Sequence, residues 1–238
     1  MPALDAFPEA APGPLQLDAS SGLSYRLLQP RPARPRTLVV LLHGVGGQEA
    51  DLAELGAELA GRDPEALVAL VRGGRSLGPQ QFGWFQVAFT AAGPRISVSE
   101  AEDSRRSLVR LVDRLQSIHG VEAPRTVLAG FSQGGIMSAS VALSAPERLG
   151  GFAILSGRIL PELEPRIAGR EWLAHLRGFI GHGEEDRTLP VDWARRADRW
   201  LDDLGIPHAT RLYPAGHALS AEMKADLAAW VRDLCAAA

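Results

Sequence analysis

The stretch Arg125-Thr126-Val127-Leu128-Ala129-Gly130-Phe131-Ser132-Gln133-Gly134-Gly135-Ile136-Met137-Ser138-Ala139 decides how this chain folds. Thr126 to Ala129 are β-branched or apolar, the composition of a strand buried on both faces. From Ile136 the residues are small or good helix formers, through Val141, Ala142 and Leu143, until Pro146 stops them. Between the two sits Gly130-Phe131-Ser132-Gln133-Gly134, a G-x-S-x-G pattern. Turning a strand into a helix within two residues forces the central residue into a strained backbone conformation. Its neighbours two positions away on either side must then lack bulk, which glycine supplies. Such a turn presents the serine oxygen at the sheet edge and leaves the first N–H groups of the helix free to face an anion. Ser132 is therefore the candidate nucleophile.

The pattern occurs a second time, in Gly74-Arg75-Ser76-Leu77-Gly78. It also follows an apolar run, Ala66 to Val71, but Pro79, Gln80, Gln81 and Gly83 come after it with no helical periodicity. Ser76 reads as a loop serine.

Outward from the elbow, apolar runs and amphipathic segments alternate. Leu23 to Gln29 reads as an edge strand, following a proline-rich start in which residues 1–14 are extended or loosely ordered. Thr37 to Leu42 reads as a central strand opening into the glycine loop His43-Gly44-Val45-Gly46-Gly47. Gln48 to Gly61 has helical spacing at Leu52, Leu55 and Leu59, and Ala66 to Val71 is the next strand. Residues 72–98 read as irregular around Trp84-Phe85, and a segment of that length is usually a lid or a pocket wall. Ser99 to His119 reads as a helix, Gly151 to Leu155 and Leu173 to Ile180 as strands, and Val191 to Leu204 as a helix. His208 to Tyr213 reads as a strand and Ser220 to Cys235 as the last helix. This alternation predicts an α/β fold with a doubly wound, mostly parallel sheet flanked by helices. Residues 1–35 form a Pro-rich N-terminal segment with its edge strand, and residues 36–238 a single domain.

Composition narrows the function classes. A net charge of −3 over 238 residues offers no basic footprint, so no nucleic acid partner is expected. Cys235 is the sole cysteine, which excludes an intramolecular disulfide and reads as structural. The N-terminal ten residues have no basic region and no continuous apolar core, and no run of 18 apolar residues occurs. The expectation is a cytoplasmic protein without a secretory signal or transmembrane segment. Lys224 is the sole lysine beside many arginines, which fits a GC-rich bacterial genome.

A serine hydroxyl is a weak nucleophile and needs a base, plus a group that orients the base. In the order serine, acid, histidine, both partners lie on loops at the ends of later strands. Asp186 follows an apolar run in Gly181-His182-Gly183-Glu184-Glu185-Asp186, and His217 follows the last strand in Tyr213-Pro214-Ala215-Gly216-His217. Glu184 and Glu185 remain competitors for the acid. His182 precedes the acid and reads as loop-shaping, while His43 at the glycine loop reads as structural. The backbone N–H groups of Val45 and Gln133 are the candidate oxyanion donors. The glycine loop lacks the spacing of a nucleotide site, and nothing in the chain calls for a metal or an organic cofactor.

In order, His43-Gly44-x-Gly46-Gly47, Gly130-Phe131-Ser132-Gln133-Gly134-Gly135, Leu155-Ser156-Gly157, His182-Gly183-x-x-Asp186-x-x-x-Pro190 and Gly216-His217 resemble the phospholipase/carboxylesterase family of α/β-hydrolases. That family includes small bacterial carboxylesterases and acyl-protein thioesterases, and the resemblance covers roughly residues 36–232. It implies an α/β-hydrolase fold with Ser132, Asp186 and His217 as triad, Val45 and Gln133 at the oxyanion hole, and Trp84-Phe85 near the acyl pocket. This chain departs at Gln86 and Gly47, where aspartate is frequent, and at Arg72-Gly73-Gly74, where proline is usual. The implied activity is a serine carboxylesterase on small to medium acyl esters, with a small-molecule ester as partner and a possible homodimer. Lysophospholipase or acyl-protein thioesterase activity is the alternative, and a catalytically silent binding protein is the alternative from another class.

Overall fold

In the computed structural model, residues 10–90 and 93–237 are described. Strands β1 (Ala11–Pro12), β2 (Gln16–Leu17) and β3 (Ser24–Gln29) precede β4 (Thr37–Leu42) and β5 (Ala66–Arg72). Two short hairpins follow, β6 (Arg75–Gly78) with β7 (Gln81–Gly83), and β8 (Val87–Thr90) with β9 (Gly93–Ile96). The later strands are β10 (Thr126–Phe131), β11 (Gly151–Leu155), β12 (Arg177–Gly183) and β13 (His208–Tyr213). The helices are α1 (Ala53–Arg62), α2 (Val98–His119), α3 (Gln133–Ser144), α4 (Arg170–Leu173), α5 (Asp192–Leu204) and α6 (Ala221–Ala236).

The main sheet runs β1-β3-β5-β4-β10-β11-β12-β13, with β2 also paired to β3. From β5 to β13 all neighbours are parallel, and β3 joins β5 antiparallel. Because strand side chains alternate, the buried strands feed two cores at once. Leu38, Val40 and Leu42 of β4, with Phe152 and Ile154 of β11, pack in the cluster that holds α2, α3 and α5. Val39, Leu41, Ala153 and Leu155 face the opposite cluster, with α1 and α6. A continuous apolar strand is thus the signature of a sheet covered on both faces.

Most elements lie within three residues of their expected bounds, and three readings differ from the structure. Leu173 belongs to α4 rather than to β12: Leu173 and Leu176 are buried, but exposed Ala174 and His175 form a turn between them before the strand begins at Arg177. The strand Ser24–Gln29 is flanked by β1 and β2 and is not the outermost strand. Of residues 1–14, only those from residue 10 are described. The segment 72–98 carries two hairpins instead of being irregular, since short strands around turns leave no long periodic run to read; residues 91–92 lie outside the described residues. Ser76 is exposed on β6 and has no helix after it.

The elbow stands where β10 meets α3. Ser132 has φ 53° and ψ −116°, a conformation that a non-glycine residue adopts only under strain. A side chain on Gly134 would place its Cβ 2.1 Å from the carbonyl oxygen of Leu42, and one on Gly130 would come 2.2 Å from the Gly134 carbonyl. Both obstacles are backbone, so neither yields by a rotamer change. Gly134→Ala is expected to destabilise the fold by about 2 kcal/mol or more, read from urea unfolding. A loss below about 0.5 kcal/mol would mean that α3 moves away from β4 at little cost.

Candidate active site

Three side chains far apart in sequence meet at the C-terminal edge of the parallel strands. His217 Nε2 is 2.9 Å from Ser132 Oγ, and His217 Nδ1 is 2.6 Å from Asp186 Oδ2. Ser132 is held by the elbow, Asp186 by the loop after β12, and His217 by the loop after β13. The parallel register sets Gly183 opposite Tyr213, so those two loops emerge side by side.

Asp186 is 5% exposed, and its Oδ1 accepts the N–H groups of Thr188 and Leu189, both at 2.8 Å. Two fixed donors on one oxygen aim the other at the imidazole. With Nδ1–H donating to Asp186, Nε2 is the free acceptor for the serine proton. Glu184 and Glu185 are both exposed, whereas Asp186 is turned inward to His217. His182 is fully buried, and its Nε2–H donates to the Leu189 carbonyl at 2.8 Å, bracing the same loop. Burial lowers the pKa of His182 below the usual histidine value, so it stays neutral there.

The glycine loop faces Ser132 from the end of β4. Gly46 has φ 80°, a left-handed turn that glycine adopts without strain. The first-turn N–H of Gln133 has no helical acceptor, and among the described residues no backbone carbonyl accepts from it or from the Val45 N–H. His43 is 1% exposed; its Nδ1–H donates to Gly44 O at 2.7 Å and its Nε2 accepts the Gly73 N–H at 2.9 Å. Burial depresses its pKa as well, consistent with a neutral structural ring.

Trp84 and Phe85, expected beside an acyl pocket, are each 1% exposed and lie in the core beneath the site. Their contacts run through Gln133. The Trp84 N–H donates to Gln133 Oε1 at 2.7 Å, Gln133 Nε2 donates to Phe85 O at 2.8 Å, and the Trp84 indole donates to His43 O at 2.9 Å. The side chain of Gln133 is therefore a strut that sets the elbow against the glycine loop. The first hairpin adds to this, because Phe82 exchanges backbone hydrogen bonds with Gly46 and Gly47 at 2.8 and 2.9 Å.

Glu49 and Arg72 escaped the sequence reading as partners. Glu49 is fully buried two residues past the glycine loop, bonded to Arg72 at 2.6 and 2.8 Å and to Arg26 at 2.7 Å. Arg72 also lies 4.4 Å over the Phe82 ring. A signal existed, since Glu49 stands three residues before Leu52 on the apolar stripe of its helical segment, where an acid needs a partner.

Comparison with known proteins follows the same lines. A family model described as Phospholipase/Carboxylesterase matches residues 26–234. Acyl-protein thioesterase 1 of Emericella nidulans is 27% identical over 142 residues, 54% of this chain and 57% of that protein, so this match spans little more than half of the relative. Esterase YpfH of Escherichia coli is 30% identical over 176 residues, 73% of this chain and 72% of that protein. The crystal structure of esterase PE8 superimposes with a TM-score of 0.75 at 26% identity, covering 95% of this chain and 99% of that one.

The Glu49 ion pairs predict a specific pH dependence. Burial opposes ionisation of Glu49, but the hydrogen bonds from Arg72 and Arg26 prevail and lower its pKa from 4.5 to about 2. A depressed carboxylate contributes stability above the unfolded pKa and loses it as pH falls toward the folded one. Glu49→Gln is expected to cost about 3 kcal/mol at pH 7, with the gap to the native protein closing between about pH 4.5 and 2. Urea unfolding of both proteins across that range checks it, and a gap independent of pH would overturn it.

Proposed function

Because the chain belongs to the phospholipase/carboxylesterase family, we propose that it is a serine carboxylesterase that hydrolyses small to medium acyl esters through an acyl-enzyme. The observation that carries this reading is the unbroken relay from Asp186 Oδ2 through His217 to Ser132 Oγ, at 2.6 and 2.9 Å. His217 Nε2 takes the Ser132 proton as Oγ attacks the ester carbonyl. Negative charge gathers on the carbonyl oxygen, and the Val45 and Gln133 N–H groups receive it. The imidazolium, held by Asp186, gives its proton to the departing alkoxide, which leaves as the alcohol. Water then attacks the acyl-Ser132 ester with His217 again as base, releasing the carboxylic acid and restoring the serine. No step requires a metal or an organic cofactor.

Trp84 and Phe85 serve this chemistry from below. They hold the Gln133 side chain, and so fix the direction of the Gln133 N–H and of the glycine loop. Preorganised donors are worth more than mobile ones because they pay no reorientation cost when charge develops.

The test is hydrolysis of p-nitrophenyl esters from acetyl to palmitoyl. Native protein is expected to turn over short and medium chains. Ser132→Ala is expected to lose about 10⁴-fold or more in kcat, and Asp186→Asn about 10³- to 10⁴-fold through misorientation of His217. A native protein no faster than Ser132→Ala on every ester would sink the reading. Preference for the longest chains would shift the substrate class toward that of lysophospholipases and thioesterases.

A further inference from the structure

A cleft of about 270 Å³ opens beside the triad, and its lining includes His217, Phe131, Leu219, Val45, His43 and Asp51. That space admits a small amino alcohol. Its position identifies which half of a substrate it takes. His217 must hand its proton to the leaving alkoxide, so the alcohol half of an ester lies on the His217 side.

The lining of this cleft carries formal charge of one sign. Asp51 is the single carboxylate among the lining residues, and they include no lysine or arginine. It is exposed, and its Oδ2 accepts the Gln48 N–H at 2.9 Å while Oδ1 has no partner among the described residues. Gly47 makes room for it, since a Cβ at that position would stand 2.8 Å from Asp51 Oδ2. Basic groups on neighbouring elements are engaged elsewhere. Lys224 pairs with Glu54 on the next helical turn, and Arg26 and Arg72 pair with the buried Glu49. His43 is held neutral by burial and does not offset the charge. The remaining walls, Phe131, Leu219 and Val45, are apolar.

A small cleft with apolar sides and one unpaired carboxylate matches an alcohol that is itself small, apolar along its body and cationic at its end. We propose that Asp51 is a specificity-determining residue and that this enzyme favours esters of cationic amino alcohols over neutral or anionic ones. This inference rests on the esterase reading above, because it uses His217 to assign the alcohol side.

The experiment compares butyrylcholine with the neutral dimethylbutyl butyrate in which carbon replaces the ammonium nitrogen. The acyl group and the shape are shared, so the ratio of the two kcat/KM values isolates charge. Native enzyme is expected to favour the choline ester about three- to tenfold at low ionic strength, with the preference shrinking in high salt. In Asp51→Asn, which keeps volume and an acceptor for the Gln48 N–H, the ratio is expected to fall to about one. In Asp51→Lys it is expected to invert. Because each ratio is taken within one variant, a general loss of activity cancels. A native ratio at or below one, or a ratio unchanged in Asp51→Asn, would overturn the proposal and leave Asp51 as a helix-capping residue only. Failure of the esterase reading is distinct, because the native enzyme would then hydrolyse neither ester faster than Ser132→Ala.

Discussion

The backbone of Gly134 lies against the carbonyl of Leu42 so closely that not even a methyl group fits between them. That approach decides the geometry of the whole site. It presses the first turn of α3 onto the end of β4, so the N–H groups of the helix and the glycine loop share one small volume above Ser132. The same compression forces Ser132 into its positive-φ conformation. Strain of this kind costs of order 1–3 kcal/mol and persists only where the surroundings over-determine it. Here they do, with α3 buried on nearly every side and β10 paired in register on both edges.

Around that contact a set of buried polar groups is satisfied without water. Gln133 bridges Trp84 and Phe85, the Trp84 indole reaches His43, and His43 in turn accepts from Gly73. A buried polar group that lost its partner would cost about 1–3 kcal/mol, so these bonds act together to allow one arrangement of the loop. Below them, Glu49 with Arg72 and Arg26 closes the far side of the loop in the same way. Segment 72–98 thus braces the glycine loop as far as its first hairpin, because Phe82 is hydrogen-bonded to the loop itself.

The elements were legible because burial on both faces of a parallel sheet writes continuous apolar runs, as in Thr37 to Leu42 and Gly151 to Leu155. The elbow was legible because its two glycines have no substitute. Asp186 and His217 could be named from chain order, and the family resemblance favoured Asp186, while the residues alone left Glu184 and Glu185 as competitors. The hairpins at 75–83 and 87–96 were missed because strands of three or four residues have no period to detect. Trp84 and Phe85 were placed near the site, but their burial depends on neighbours from three different elements.

By itself the sequence determined what local chemistry can determine: which segments are strand or helix, where the strained turn falls, and which residue types suit an acyl transfer. These follow from side-chain periodicity and from the steric demands of single residues. Only the tertiary structure decided which of three adjacent acids turns inward, what Gln133 and Glu49 hold together, and which carboxylate stands alone in the cleft beside His217. Each of those is a contact between residues tens of positions apart, set by the register and twist of the sheet that carries them. No spacing along the chain encodes it.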